Sequence, residues 1–142
     1  MTCTFFGHRD TPESVGEKLR EMLIDLIKNK NVDLFYVGNH GSFDSMVRKE
    51  LDNLKGKYAH IDYSVVLAYI TGDNRGVSYN NSIYPEGLEN VPPKYAIVKR
   101  NRWMIDRADY VVVYVKYNFG GAAQFKNIAE KKGKIVLNLA DE

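Results

Sequence analysis

Three short stretches of the sequence combine glycine with side chains that could bind a phosphorylated ligand. The first is Gly7-His8-Arg9, the second is GNHGSFD over residues 38–44, and the third is the pair Gly120-Gly121. Glycine lets a ligand approach the backbone closely. Backbone N–H groups at the start of a helix, with an arginine nearby, suit a phosphate group. These residue types indicate an anion-binding site built from loops.

Each stretch also has a purely structural interpretation. Gly7-His8-Arg9 could form a tight turn in which His8 is hydrogen-bonded within the protein and Arg9 is solvated. Ser42 or Asp44 could do no more than cap the helix that follows them. A glycine pair alone is weak evidence for a ligand. The sequence leaves these alternatives open.

Apolar runs and helical spacing alternate along the chain. The runs predict strands over residues 2–6, 33–37, 64–69, 109–115 and 134–139. Apolar residues at helical spacing predict helices between them, with the last two over residues 93–108 and 122–132. This alternation predicts an α/β fold with an open, mostly parallel, five-stranded sheet and helices on both faces. The ends of parallel strands share one edge, so the three glycine loops should meet there.

Two segments between these elements carry separate predictions. Thr11 offers an N-cap hydroxyl, Pro12 suits the first helical position and Glu13 suits the first turn, which predicts that the first helix starts here. Residues 70–92 have no clear period, and we predict one long surface loop. A loop of that length usually has a function or is mobile.

Length and composition limit the classes of protein to consider. The 142 residues suit one domain, and 44% hydrophobic with 27% charged residues is typical of a globular protein. The net charge is +2, with 20 basic residues interleaved among 18 acidic ones, which argues against a clustered nucleic-acid-binding face. Cys3 is the single cysteine, so no internal disulfide is expected. We find neither a signal peptide nor a membrane-spanning stretch, and we expect a cytoplasmic protein.

The order of the motifs resembles the SLOG superfamily. FFGHR follows the first predicted strand, YVGNHGSFD the second, RNRWMIDRADYVVVYV runs into the fourth, and GGA precedes the last helix. The resemblance covers nearly the whole chain and is nearest to small uncharacterised bacterial and phage members. The superfamily also contains the cytokinin-activating phosphoribohydrolases and the DNA-processing proteins. The resemblance implies a Rossmann-like three-layer fold, binding of a nucleotide or nucleotide derivative, and pairing into homo-oligomers.

The resemblance implies a contact with phosphate, but it does not imply a reaction. Arg100 lies in RNRWM, which fits the Arg-Lys-x-x-Met segment of the phosphoribohydrolases, so the resemblance implies that Arg100 contacts phosphate or ribose. Asn127 falls where their motif has a carboxylate. An amide is poorly suited to move protons or to stabilise positive charge on a ribose. The resemblance therefore does not extend to hydrolysis of an N-glycosidic bond.

Three functions follow as hypotheses. The leading one is a binding module that senses or sequesters a nucleotide-like molecule. The second is an enzyme acting at the ribose of a nucleotide, with Asp44 or Glu86 supplying the carboxylate. The third is a DNA-associated accessory protein, suggested by the DNA-processing relatives and the slight basic charge.

The candidate ligand-binding residues all belong to the glycine loops or to the RNRWM segment. They are Gly7, His8, Arg9, Gly38, Asn39, His40, Gly41, Ser42, Asp44, Arg100, Asn101, Gly120, Gly121 and Ala122. Trp103, Tyr79 and Tyr84 could stack on a base, although aromatic residues more often pack in a core or an interface. His8 and His40 lack the close spacing of a metal-binding motif, and we expect neither a metal nor a resident cofactor.

Overall fold

A computed structural model of the chain describes residues 1–69 and 81–141. Strands and helices alternate through most of these residues. The strands are β1 (Thr2–Gly7), β2 (Leu34–Val37), β3 (Asp62–Val66), β4 (Ser82–Ile83), β5 (Tyr110–Tyr114) and β6 (Ile135–Asn138). The helices are α1 (Val15–Asn29), α2 (Gly41–Lys57), α3 (Pro93–Arg107) and α4 (Gly121–Lys131), with a short 3-10 helix at Leu88–Asn90.

The strands form one open parallel sheet in the order β4-β3-β2-β1-β5-β6. Every adjacent pair is parallel. The chain winds outward from β1 to β4 on one side and then crosses back to place β5 against the other side of β1. This reversal between β1 and β5 is where open α/β sheets bind ligands. The fold is Rossmann-like, as predicted.

Two apolar clusters cover the two faces of the sheet. Alternate residues of β5 serve opposite faces: Val112 packs with α1 and α2, whereas Val111 and Val113 pack with α3 and α4. All five residues of β5 are buried, because a central parallel strand covered on both faces has no solvated side. The predicted helices on both faces are confirmed.

The predicted count of five strands is wrong, because the described residues form six. Strand β4 is two residues long and pairs with β3 through Val65↔Ser82 and Val66↔Ile83, which is too short to produce a periodic pattern. The prediction of one continuous loop over 70–92 is also wrong, since residues 81–92 contain β4 and the 3-10 helix, with Leu88 buried. Residues 70–80, including Tyr79, lie outside the described part of the chain.

Two predicted boundaries also move. The first helix begins at Val15 rather than at Pro12, because the Thr11 hydroxyl donates to the His8 carbonyl oxygen at 2.7 Å instead of capping the helix. Strand β3 spans Asp62–Val66 rather than 64–69. Asp62 lies opposite Leu34 in the ladder, whereas the apolar residues after Val66 are buried outside the strand.

None of the helices in the described residues has both the length and the apolar character required to cross a membrane.

Candidate functional site

A cavity of about 310 Å³ opens at the carboxyl edge of the sheet, on the face covered by α3 and α4. It lies beside the end of β1, where the winding of the sheet reverses. The residues that line it come from β1, the two loops after β1 and β2, the first turn of α2, and the facing sides of α3 and α4. They are Phe5, Phe6, Gly7, His8, Arg9, His40, Asp44, Ile97, Arg100, Asn101, Met104, Gly121, Ala122 and Phe125.

Arg100 is the most deeply buried cation of this wall, with 2% of its surface exposed. Its Nε donates to Asn101 Oδ1 at 2.7 Å, and its Nη1 donates to the Val66 carbonyl oxygen at 2.8 Å and to Asn39 Oδ1 at 3.3 Å. Its Nη2 lies 3.3 Å from His40 Nδ1. These partners hold the guanidinium in one orientation.

Burial and neighbouring charged groups shift the pKa of both Arg100 and His40. Burial lowers the pKa of Arg100, while the charges of Asp44 and Tyr69 oppose that shift. An arginine remains protonated in proteins, so the wall keeps a fixed positive charge. Burial, with smaller contributions from Arg100, Arg9 and Arg48, lowers the pKa of His40 to about 4. The imidazole is therefore neutral at neutral pH, and its unprotonated Nδ1 can accept an N–H from the guanidinium.

Asp44 is the carboxylate that faces this cluster. Its Oδ2 accepts the backbone N–H of His40 at 3.0 Å. Burial raises the pKa of Asp44, and this hydrogen bond together with the charges of Arg100 and Arg48 limits the rise. Asp44 thus closes the first turn of α2 and also contributes to the cavity wall.

The glycines of the second loop permit this close packing. A Cβ on Gly38 would lie 2.7 Å from Asp44 Oδ2 and 3.1 Å from the guanidinium of Arg100. Gly41 has φ +87°, and a Cβ there would lie 3.3 Å from the Cα of Arg9. Both positions require glycine, so the loop is shaped to bring Arg100 and the first loop together.

Ser42 connects the first two loops. Its Oγ accepts the N–H of Thr11 at 2.8 Å and donates to the carbonyl oxygen of Arg9, which also accepts the Ser42 N–H at 3.0 Å. Ser42 lines a neighbouring groove rather than the 310 Å³ cavity. The structure therefore supports the structural interpretation of Ser42, while the side chain of Arg9 remains exposed at the mouth of the cavity.

His8 connects the first loop to the loop after β5. Its Nε2 accepts the backbone N–H of Lys116 at 3.0 Å, so a neutral ring carries its proton on Nδ1. The ring also meets the edge of Tyr114, with 5.9 Å between ring centroids, and contacts Tyr117 at 5.3 Å. His8 is thus hydrogen-bonded within the protein and lines the cavity as well.

The N-terminus of α4 forms the remaining side of the cavity. Gly120 has φ +94°, which favours glycine, and Gly121 and Ala122 of the first turn line the cavity. A Cβ at Gly120 or Gly121 would meet nothing within 4 Å among the described residues. Gly120 and Gly121 are both exposed, and the N–H groups of Gly121 and Ala122 have no acceptor among the described residues, so this helix N-terminus, with the positive end of its dipole, is open to the cavity.

The structure brings most of the predicted site residues to one place. Nine of them line the cavity: Gly7, His8, Arg9, His40, Asp44, Arg100, Asn101, Gly121 and Ala122. Gly38, Asn39 and Gly41 support the wall from behind, and Gly120 precedes the helix that ends at it. The sequence reasoning missed the apolar side chains of the cavity, including Ile97 and Met104. The signal was available, because Ile97, Arg100 and Met104 are three and four residues apart on one helix face.

The carboxylates proposed for an enzyme separate in space. Asp44 lines the cavity, whereas Glu86 lines a different groove beside Lys99. Asn127 lies in a third groove with Lys116. Among the residues described, no cluster of three or more His, Cys, Asp and Glu side chains could hold a metal ion.

The fold and this edge place the chain among the Rossmann-like α/β proteins. No sequence-family model and no curated protein matches the chain.

Solved structures with a similar fold include two DNA processing proteins. DNA processing protein A from Streptococcus pneumoniae matches with a TM-score of 0.67 and 16% identity over 96% of this chain and 49% of its own. DNA processing protein A from Helicobacter pylori, which binds single-stranded DNA, matches with a TM-score of 0.67 and 17% identity over 97% of this chain and 64% of its own. The chain thus spans about half to two thirds of these proteins. Identity this low establishes the fold alone.

Proposed function

We propose that the protein binds single-stranded DNA by seating one phosphate-bearing nucleotide in the cavity beside β1. The observation that carries the proposal is the guanidinium of Arg100, buried in the cavity wall and held by partners on three sides. A buried, oriented cation next to an open helix N-terminus favours an anionic group between them.

Within the described part of the chain, Arg100 has one N–H donor left for such a group. A guanidinium has five N–H donors, and the hydrogen bonds to Asn101, Val66, Asn39 and His40 use four of them. The fifth, on Nη2, has no partner among the residues that the structure describes. It is available for an oxygen of a ligand.

The net charge of the cavity wall also favours an anionic ligand. Arg9 is exposed at the mouth and Arg100 is buried behind it, whereas Asp44 is the carboxylate among the described residues that line the cavity. The first turn of α4 adds the partial positive charge of the helix dipole. Phosphate neutralises this excess, and phosphate contacts supply most of the affinity of non-specific DNA binding.

The choice of a DNA strand rests on the fold. The fold is similar to that of DNA processing protein A, with a TM-score of 0.67, and the Helicobacter pylori protein binds single-stranded DNA. This likeness supports the DNA-associated hypothesis more than the sensing of a free nucleotide. Because basic and acidic residues are evenly mixed along the chain, we expect modest affinity for DNA. Electrostatic attraction of the strand should come from the site rather than from the whole protein surface.

A free nucleotide or nucleotide derivative is the second candidate. A cavity of about 310 Å³ lies at the small end of ligand pockets and suits one nucleotide-sized group. Its apolar side chains from α3 and α4 could cover a base or a ribose.

The test is fluorescence anisotropy with a labelled thymidine oligonucleotide of about twenty nucleotides. We expect binding at low salt that weakens as salt rises. Arg9→Ala should weaken it about tenfold and lower the salt slope by about one. Arg9 is exposed, so the variant should fold. Lys28→Ala removes the same charge from the last turn of α1, at the opposite edge of the sheet, and should bind like the wild type.

Two results would count against the proposal. Absence of strand binding at low salt contradicts it, and so does equal binding by the wild type and Arg9→Ala. If a 5′-mononucleotide binds in an Arg9-dependent way while the oligonucleotide does not, the second candidate replaces the first.

A further inference from the structure

Two aromatic side chains lie exposed just outside the cavity. Tyr117 is 53% exposed and Phe119 is 69% exposed. Their rings are stacked on each other, with centroids 5.4 Å apart and planes 24° from parallel. Burying such rings in a core would stabilise the fold, yet these two are held in water on a loop between β5 and α4.

The pair continues into the cavity through His8. The ring of His8 lies 5.3 Å from that of Tyr117 and forms part of the cavity wall. The hydrogen bond from the Lys116 N–H to His8 Nε2 fixes the first ring relative to the loop that carries the other two. His8, Tyr117 and Phe119 thus form a row of rings, which we call the aromatic row, that leads from the cavity to solvent.

Basic residues lie along the far side of the aromatic row. A groove of about 260 Å³ there is lined by Lys116, Tyr117, Lys126 and Asp141, among others, and Lys126 also pairs with Glu130 at 2.8 Å. Tyr117 thus borders this groove, whose lining has two lysines and one aspartate among the described residues, and also contacts His8 of the cavity wall. A strand leaving the cavity across the rings would keep cationic groups within reach of its phosphates.

We propose that the aromatic row is a stacking platform for the bases of single-stranded DNA that neighbour the nucleotide in the cavity. This inference rests on the proposed function and adds the residues that hold the bases. Every base has a π-face, so stacking on Tyr117 and Phe119 tolerates any sequence. The arrangement combines basic groups for the backbone with rings for the bases, which is how proteins without sequence preference bind single strands.

The experiment compares a thymidine oligonucleotide with an abasic oligonucleotide of the same length, which keeps the phosphates and lacks the bases. The wild type should bind the thymidine strand about tenfold or more tightly than the abasic strand, as expected for base–aromatic stacking. The double variant Tyr117→Ser/Phe119→Ser should bind both strands equally, at the affinity of the wild type for the abasic strand.

Tyr95→Ser is the matched control. Tyr95 is a tyrosine of α3 with 52% exposure, and it lies outside the aromatic row and the cavity lining. This variant should keep the preference for bases. Phe119→Tyr retains a ring and should also keep it. The substituted side chains are exposed, and equal thermal unfolding of all variants checks that the fold is retained.

The outcomes separate this inference from the proposed function. If Arg9→Ala weakens both strands while the double variant keeps the full preference for bases, the platform is wrong and the cavity proposal stands. If the wild type binds no strand, both fail. If the double variant changes only the oligomeric state in sedimentation, the row serves contact between copies and the platform is overturned.

Discussion

The two ends of the candidate site are built in opposite ways. At the β2–α2 end, His40 is hydrogen-bonded to both Asp44 and Arg100, and Gly38 packs closely against Asp44 and Arg100. At the β5–α4 end, the helix N-terminus at Gly120–Gly121 meets open space and the adjoining rings are exposed.

The site is therefore rigid at the β2–α2 end and open at the β5–α4 end. The packed end sets the position of a buried cation at the cost of desolvating it, which neighbouring acceptors offset. At the open end, Gly120 and Gly121 are exposed and carry no side chain, which lets a ligand approach the backbone closely. We therefore expect substitutions at the packed end to lower stability, and substitutions at the open end to change binding alone.

Removing Arg100 should produce the largest loss of stability. Arg100→Leu leaves Asn39, the Val66 carbonyl oxygen and Asp44 without their cationic partner in a buried setting. The free energy of unfolding should fall by roughly 3 kcal/mol, measured by urea unfolding. Arg102→Leu, on an exposed position of the same helix, should change it by no more than about 0.5 kcal/mol. A similar small change for Arg100→Leu would mean that the packed end is not a stabilising unit.

A pair of glycine substitutions applies the same chemical change at Gly7, which packs against Phe43 of α2, and at the open end. A Cβ on Gly7 would lie 2.2 Å from Cγ of Phe43, inside the core, so Gly7→Ala should destabilise the protein by about 1–3 kcal/mol. A Cβ on Gly121 meets nothing within 4 Å among the described residues, so Gly121→Ala should leave stability unchanged or slightly raised. Calorimetric melting of both variants checks this, and equal losses would erase the contrast.

Lowering the pH should reduce the contribution of His40, in the packed end, to the free energy of unfolding, because protonation of His40 favours the unfolded chain. The native pKa of His40 is about 4, below the value of about 6.5 expected when unfolded. As the pH falls through about 6.5 the unfolded chain takes up this proton first, so stability present above that pH is lost by about pH 4. Because His40 is partly exposed, the effect should be about 1 kcal/mol.

His40→Gln isolates that contribution. The raised pKa of Asp44 acts in the opposite direction, since the folded state gains its proton first as the pH falls. The difference between the wild type and His40→Gln in urea unfolding at several pH values therefore reports His40 alone. His60→Gln, at an exposed position, is the control. An unchanged pH dependence in His40→Gln would contradict the lowered pKa of His40, which burial and the nearby arginines cause.

Much of the fold could be predicted because burial leaves a local signal. The YVVVY run of β5 is apolar throughout since both of its faces are covered. Strand β4 left no such signal, because two residues become a strand only by pairing with Val65 and Val66. The start of α1 was misplaced for a related reason: the hydroxyl of Thr11 is used by His8 of the preceding loop, a contact that local propensity does not contain.

The loops that form the site could be predicted from the sequence, but the roles of the individual residues in them could not. The positions of Arg9 and Arg100 followed from strand ends and from the resemblance. The burial of Arg100, in contrast to the exposure of Arg9, depends on packing between α3 and the second loop. Ser42 and His8 have the chemistry of ligand contacts, but their partners across the loops engage them within the protein. The exposure of Phe119 contradicts the usual expectation for an apolar residue, and only the structure reveals it.

Nuclear magnetic resonance titration of the labelled protein with a 5′-phosphorylated thymidine oligonucleotide tests the central claim most directly. We expect shifts of the backbone amides of Gly120, Gly121 and Ala122 and of the side-chain N–H signals of Arg9 and Arg100, with the first-turn amides moving most. Shifts confined to other surfaces, or a spectrum unchanged at saturating oligonucleotide and low salt, would contradict it.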